Sequence, residues 1–318
     1  MNRYFSKLMN QFIRKYDLKK ILIAISGGQD SICLMKLIDN FTQNHNYIEV
    51  EYIYIDHQWK IDSKMQIEHL INYCKNFKKK LTIYQIKKIS LSEDISRKYR
   101  YHIIIRHATY YKYKIIFTAH TKTDKLETFF YNLMRGTGIE GVTSLNLHRK
   151  YNSTLNIFRP LIKQNRININ FFCRRWLLPI WSDTTNYNYS TSRNRIRNEI
   201  FPYLKKYFNI NIEKNWLIFL HNCYYDNEYI KQKVIRLYLK NKHNTYIALK
   251  KSSIRKEHFT IQIKVLRLLI YHNFKIETSG NLLIKIINQI NNKQSNYNVQ
   301  IIYKFIKFNI NQNWIYII

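Results

Sequence analysis

Residues 21–41 read ILIAISGGQDSICLMKLIDNF, and three adjoining patterns in them set the fold. The apolar run 21–25 has no polar alternation, which suits a strand buried on both faces of a parallel sheet. Ser26-Gly27-Gly28-Gln29-Asp30-Ser31 then turns the chain, and residues 32–41 read as a helix. Working outward, residues 52–55, a stretch near 81–86 and residues 115–119 (IIFTA) read as further strands. Helical stretches fall at 62–77, from Ser90 (at capping-box spacing from Glu93) to about residue 112, and at about 123–135. Strands alternating with helices predict an α/β fold built on a doubly wound, mainly parallel sheet, with ligands at the carboxyl ends of its strands. From about residue 209 Gly and Pro nearly vanish and an Asn/Lys/Ile/Tyr texture runs on. We therefore expect one domain over 1–208 and a second, smaller, mostly helical domain over 209–318 that finishes in strands at about 299–318.

The glycines sharpen the search. Five of the six are Gly27, Gly28, Gly136, Gly138 and Gly141, in two short segments, and the only prolines are Pro160, Pro179 and Pro202. In the first segment two glycines let backbone N–H groups approach an anion, and the helix that follows aims its free amides and partial positive charge at the same point. Ser26 and Ser31 add hydroxyl donors. Asp30 is out of place beside phosphate unless a cation bridges the two, so Mg²⁺ is the inferred partner. There is no G-x-x-x-x-G-K-[ST], which excludes a Walker A loop.

The second segment, residues 118–141, reads TAHTKTDKLETFFYNLMRGTGIEG. On a helix Asp124 and Glu127 are i,i+3 neighbours, with Arg135 about three turns along on much the same face. Leu126, Phe129, Phe130 and Leu133 would line the buried side, and Gly136 and Gly138 suit the C-cap. Further on, Asp183-Thr184-Thr185-Asn186 precedes Arg193-Asn194-Arg195-Ile196-Arg197, then Pro202. Arginines at every second position cannot share one helical face. They fit a helix start, where guanidinium forks reach phosphates or bases.

The chain has 318 residues, with 53 Lys and Arg against 20 Asp and Glu, a net charge of +33. Such a chain attracts polyanions, nucleic acid first among them. An A+T-rich coding bias accounts for part of the lysine but less readily for the arginine. Cys33, Cys74, Cys173 and Cys223 are scattered, with no C-x-x-C and no Cys/His cluster, against a zinc site or disulfide framework. No apolar run approaches the roughly 18 residues of a membrane span.

S-G-G-x-D-S after an apolar strand resembles the PP-loop of the ATP-pyrophosphatase superfamily, which cleaves ATP between its α and β phosphates. Residues 119–141 resemble the second signature of tRNA(Ile)-lysidine synthetases, commonly A-H-H-x-D-D-Q-x-E-T followed by L-x-R-G-x-G-x-x-G. Ala119, His120, Asp124, Glu127, Thr128, Leu133, Arg135, Gly136, Gly138 and Gly141 match, while Thr121, Thr123 and Lys125 depart. The variant is similar to the cyanobacterial and plastid branch of that family. The arginine-rich segment matches the family's third signature, Arg159-Pro160-Leu161 its R-P-L element, and Asp56-His57 its strand-end D/N-H. The resemblance covers roughly residues 20–205.

The resemblance implies a ligase that joins free L-lysine to C2 of the wobble cytidine in a tRNA(Ile) with a CAU anticodon, through an adenylated cytidine. It implies ATP and Mg²⁺ on the 26–31 loop, with Asp30 as the metal contact. Nucleotide contacts would come from Ser26, Gly27, Gly28, Gln29, Asp30, Ser31, His57 and His120, and catalytic roles would fall to Asp30, Asp124, Glu127 and Arg135. Arg159, Arg193, Asn194, Arg195 and Arg197 would meet substrate or tRNA, with residues 209–318 as an accessory tRNA-binding domain. A homodimer and a plastid stromal setting, or otherwise a bacterial-type cytoplasm, follow from the same likeness. Two rivals remain at this point. One is an RNA-binding protein with a relict ATP site. The other is a PP-loop tRNA thiolase, which would need catalytic cysteines that no pairing in the sequence supplies.

Overall fold

The computed structural model describes residues 1–58, 63–86, 93–181, 191–292 and 299–318. Ser90 and Asp183–Asn186, singled out above, lie outside them.

Two compact units divide at Leu220 and His221. The division falls inside a long helix rather than at 208/209, where the texture changes. Composition shifts where Gly and Pro run out. Packing continues further, because Trp216, Leu217 and Leu220 still belong to a cluster with Leu126 and Phe129.

The first unit holds helix α1 (Asn2–Tyr16) and strands β1 (Lys20–Ile25), β2 (Glu49–Asp56), β3 (Lys80–Gln85) and β4 (Ile115–Thr118). Between the strands run α2 (Gln29–Thr42), α3 (Ser63–Asn76) and α4 (Glu93–Tyr110). After them come α5 (Lys122–Met134), α6 (Ile139–Val142), β5 (His148–Lys150), β6 (Asn156–Phe158), α7 (Arg166–Arg175), α8 (Ser192–Arg195) and α9 (Phe201–Tyr207). The sheet order is β3-β2-β1-β4-β6-β5, parallel except for β5. Ile21, Leu22 and Ile23 are wholly buried, as a strand covered by helices on both faces requires. One apolar cluster, with Met9, Ile32, Phe117 and Phe158, lies on one side of the sheet, and a second, with Ile53, Ile104 and Ile116, on the other. The order reverses between β1 and β4, so the ligand crevice of such a sheet opens where Ser26 and His120 follow those two strands.

The second unit takes most of helix α10 (Ile212–Asn241), then β7 (Ala248–Lys250), α11 (Lys251–Arg255), α12 (Phe259–Phe274), α13 (Gly280–Asn291) and β8 (Val299–Tyr303), β9 (Ile306–Ile310) and β10 (Trp314–Ile317). Its strands form an antiparallel sheet in the order β7-β10-β9-β8. No described helix is long and apolar enough to cross a membrane.

Candidate active site

The 26–31 loop is shaped by backbone geometry and one distant side chain. Gly27 has φ +74°, a left-handed value that L side chains rarely adopt, and a Cβ there would come within 2.7 Å of Gln66 Nε2. That close approach is used, since Gln66, buried on α3, donates from Nε2 to the carbonyl of Ser26 at 2.7 Å. The Ser31 hydroxyl donates to Gly28 O at 2.8 Å, and the Ser26 hydroxyl reaches Ser31 Oγ at 3.4 Å. Gly28 is the N-cap of α2 without a side-chain cap, so the helix's first amides stay directed at the crevice.

A cleft of about 260 Å³ lies over this loop, lined by Ser26, Asp30 and Ser31, by Thr118, His120, Asp124, Glu127 and Thr128, by Arg97, Arg100 and Tyr101 from α4, and by Arg193. Burial pushes the Asp30 carboxyl up to about 6, against the lowering influence of Arg166, whose Nη2 lies 3.5 Å from Asp30 Oδ2. Asp30 Oδ1 is buried and meets no hydrogen-bond donor among the described residues. An unsatisfied carboxylate oxygen beside a phosphate-binding turn fits a hard divalent cation. No group of three or more His, Cys, Asp or Glu gathers for a metal among the described residues, so phosphate and water would supply its other ligands.

Asp124 and Glu127 stand one helical turn apart on α5. Thr121, one of the departures from the common signature, is the N-cap: its N–H and hydroxyl donate to Asp124 Oδ2 at 2.7 and 2.9 Å, and its Oγ1 accepts from Asp124 N at 3.4 Å. The substitution thus makes a capping box. Glu127 is 3% exposed. Arg197 holds it through Nε at 2.6 Å from Oε1, and Arg197 Nη2 lies 3.6 Å from Asp124 Oδ1. Burial raises the Glu127 carboxyl above its ordinary range, with Arg197 opposing. His120 Nδ1 sits 2.9 Å from the Thr118 hydroxyl, and burial pushes the ring down to about 3, so the imidazole is neutral at physiological pH.

Arg193 and Arg197 come to the same side because they are four residues apart on continuous helix, whose stretch Ile196–Ile200 is a π-helical turn, a distortion that often marks functional sites. Arg195 points outward as an exposed residue, and the Asn194 amide serves the Thr191 cap at 3.4 Å.

Several expectations need correction. Arg135 is not in the cleft. It is the C-cap of α5, 55% exposed at its side chain, 3.2 Å from Asp94 and 5.0 Å from the Tyr131 ring. The helix ends one residue short of it, so its direction no longer follows that of Asp124. Leu133, placed on the buried side above, is 52% exposed, and Glu127 takes the buried position instead. Arg159 is 3% exposed and donates to Asn146 O at 2.8 Å, so it sits inside the fold near Tyr101 rather than on the surface. His57 does not line the cleft; its Nδ1 lies 2.9 Å from Ser96 Oγ on α4.

The sequence reading missed Gln66, Arg166 and the Arg97/Arg100/Tyr101 face. The last had a signal, since R-x-x-R-Y puts all three on one side of a helix. It also missed that Cys33 and Cys173, far apart in the chain, meet where α2 packs on α7. Both are buried, and the hydrogen bond to Cys173 together with burial holds the Cys33 thiol far above its usual range. That hydrogen bond draws the Cys173 thiol the other way, below its usual range, but both sulfurs are buried in the packing of α2 on α7.

Residues 1–204 match the profile of the ATP-binding PP-loop domain family. The chloroplastic tRNA(Ile)-lysidine synthase of Gracilaria tenuistipitata var. liui is 46% identical over 298 residues, covering 93% of this chain and 92% of that protein. The chloroplastic tRNA(Ile)-lysidine synthase of Pyropia yezoensis is 32% identical, with 91% and 89% covered. The tRNA(Ile)-lysidine synthase of Nostoc sp. is 38% identical over 60% of this chain and 56% of its own. Among solved structures, the U34-tRNA thiolase NcsA of Methanococcus maripaludis, with its 4Fe-4S cluster, superposes with a TM-score of 0.54 at 15% identity, over 69% of this chain and 80% of that one. That likeness is one of fold.

Proposed function

We propose, for a chain that belongs to the tRNA(Ile)-lysidine synthase family of PP-loop proteins, that it joins free L-lysine to C2 of the wobble cytidine in a tRNA(Ile) with the anticodon CAU. The product, lysidine, pairs with A, so decoding moves from AUG to AUA. The observation that carries this reading is a single cleft that has the Ser26–Ser31 loop on its floor and the Asp124–Glu127–Arg197 cluster at its wall.

ATP would lie with its phosphates on the 26–31 loop. The cytidine O2 attacks the α-phosphorus, pyrophosphate leaves, and O2 becomes part of a good leaving group. The ε-amine of lysine then attacks C2 and AMP departs with that oxygen. Asp30 would hold Mg²⁺, whose chemistry is to neutralise charge on the departing pyrophosphate. Arg166, placed beside Asp30, would add a second cation at the phosphates. Lysine arrives as an ammonium ion and reacts as an amine, so a proton must leave it. Asp124 and Glu127 are the acceptors we assign. Each has one oxygen committed, to the α5 cap and to Arg197 respectively, and burial raises the affinity of Glu127 for a proton above that of an ordinary carboxylate. His120, uncharged, lines the pocket without repelling either the ammonium or a bound cation. Arg193 and Arg195 would contact tRNA phosphates at the mouth, and residues beyond 208 would serve as the accessory tRNA-binding region. A homodimer and the plastid stroma complete the proposal.

Purified protein with ATP, Mg²⁺, radiolabelled lysine and an unmodified CAU transcript tests it. Label entering that transcript and not a matched one with uridine at the wobble position, and lost in Asp30→Ala, is the expected result. Tight tRNA binding without incorporation would overturn the ligase reading in favour of RNA binding alone.

A further inference from the structure

The small antiparallel sheet of the second unit packs one face against α12 and α13. Ile306, Phe308 and Ile310 of β9 and Ile315 and Ile317 of β10 point into a core with α12 and α13. By the two-residue alternation of strands, the residues between them face the other way. The register aligns Gln300 of β8, Asn309 of β9 and Tyr316 of β10 in one row across this other face. Lys307 shares the face two residues from Asn309. Trp314 pairs with Lys250 in the next row.

A cleft of about 610 Å³ lies over the row, lined by Tyr246, Tyr316, Gln300, Asn309 and Asn311 among others, with no Asp or Glu side chain in its walls and Ile318 at its edge. Tyr246 is 66% exposed and meets Tyr316 edge-on, centroids 6.1 Å apart. His243 packs between the rings, 4.7 Å from Trp314 and 5.1 Å from Tyr246. The Asn309 carboxamide oxygen is buried yet finds no hydrogen-bond partner among the described residues. Aromatic faces and three carboxamides in one cleft, with Lys307 and Lys250 on the same face of the sheet outside it, are groups that take an unpaired nucleotide: rings stack a base, carboxamides read its edge, ammonium groups meet its phosphate. Charge agrees. Residues 221–318 hold sixteen Lys and Arg against four Asp and Glu. A rigid duplex cannot present a base to such a concavity, and an acidic protein partner would not need the rings exposed.

We propose that this face binds unpaired nucleotides of RNA, with Tyr246 and Tyr316 as stacking surfaces and Gln300, Asn309 and Asn311 as base-edge contacts. The inference rests on the reading of the chain as an RNA-modifying enzyme and gives its accessory unit a specific ligand class.

The test is fluorescence anisotropy of the full-length protein with a labelled ten-nucleotide single-stranded RNA of mixed sequence, and with a blunt duplex of equal charge. Tyr246→Ala and Tyr316→Ala should each weaken the single-stranded complex about tenfold, within the range of a base–aromatic stack, and move the duplex less than twofold. A 4-thiouridine version of the oligonucleotide, irradiated on the wild-type protein, should cross-link to peptides containing Tyr246 or Tyr316, which guards against variants that fail to fold. Wild-type affinity in well-folded variants, equal loss for duplex and single strand, or cross-links confined to residues 1–220 would each overturn the proposal. A change of oligomeric state in the variants with RNA affinity intact would also do so, and would make the face an interface between copies. Failed lysine incorporation beside correctly mapped cross-links would sink the ligase reading and leave this site standing.

Discussion

Replacing Arg197 with methionine strips the cation from Glu127, whose side chain is only 4% exposed, and from Asp124 one turn away, while keeping most of the packing volume. Removing one member of a buried pair costs roughly 3–5 kcal/mol, because the charge left behind has neither water nor partner. The Arg197 side chain is itself 19% exposed, so water reaches the cluster and the lower end applies, about 3 kcal/mol. For a unit of this size that lowers Tm by about 6–12 °C. The deficit has a defined pH dependence. Burial already raises the Glu127 carboxyl with Arg197 present, and without Arg197 it rises further. A carboxyl with a raised folded pKa penalises the fold above that pKa and not below the unfolded value, so Arg197→Met should recover toward wild type as pH falls from 7.5 to 5. Adding Glu127→Gln in the Arg197→Met background should restore much of the loss at pH 7.5. Circular dichroism melts of the four proteins complete the cycle. A single variant within about 1 °C of wild type, or a deficit equal at both pH values, would refute the burial argument.

Four other outcomes follow from particular atoms. Burial holds Asp30 up at about 6, so kcat/KM for tRNA-dependent, Mg²⁺-supported pyrophosphate release should fall as pH drops through that value, and Asp30→Asn should abolish the activity at every pH. Gly27→Ala places a methyl 2.7 Å from Gln66 Nε2 at a left-handed φ, a strain of about 1–2 kcal/mol, so ATP affinity measured by calorimetry should drop at least tenfold and Tm by about 2–8 °C. Burial would raise Glu51, but hydrogen bonds from Lys80, Tyr113 and Thr82 overcome it and hold the carboxyl down at about 2, against an ordinary 4.5. Its stabilisation, about 3 kcal/mol, is therefore present above pH 4.5 and lost between 4.5 and 2, so the melting difference between Glu51→Gln and wild type should be large at pH 7 and narrow through that window. With 53 basic residues against 20 acidic, tRNA affinity should fall steeply between 50 and 200 mM salt while the KM for lysine moves little, which parallel titrations would reveal.

The sheet was legible because ILIAI and IIFTA carry the unbroken apolarity of strands covered on both faces, and because Gly27 sits where the chain must turn with a left-handed φ. Asp30, Asp124 and Glu127 were legible for the same reason: spacing along one helix or loop fixes their relation locally. Arg135 misled because its place depended on the helix continuing through it, and the helix stops at Met134. Arg159 misled because a motif match carries no burial. Gln66, Arg166 and the Cys33–Cys173 contact were hidden for a different reason. Each is made by elements that meet only after the sheet is wound, and nothing in the local pattern of α3 or α7 says which strand end they will face.

The cleft's electrostatics divide by distance. At about 8 Å and beyond in physiological salt, single charges are screened and what a ligand senses is the accumulated excess of +33, which gathers a polyanion to any part of the surface. Inside the cleft the order is reversed. Asp30, Asp124 and Glu127 gather around one volume, and each is opposed by an arginine, Arg166 or Arg197, rather than left bare. In the reaction proposed above, which brings a triphosphate and a cationic amine to one cleft, that pairing answers a specific difficulty. Unopposed carboxylates would repel the phosphates, and unopposed arginines would repel the ammonium. Pairs held at 2.6 to 3.6 Å are near neutral to an approaching ligand, yet can turn either sign toward it when a bound group displaces one partner. The same reasoning accounts for three carboxylates around one cleft in a chain so poor in acidic residues, since each has a cation to face.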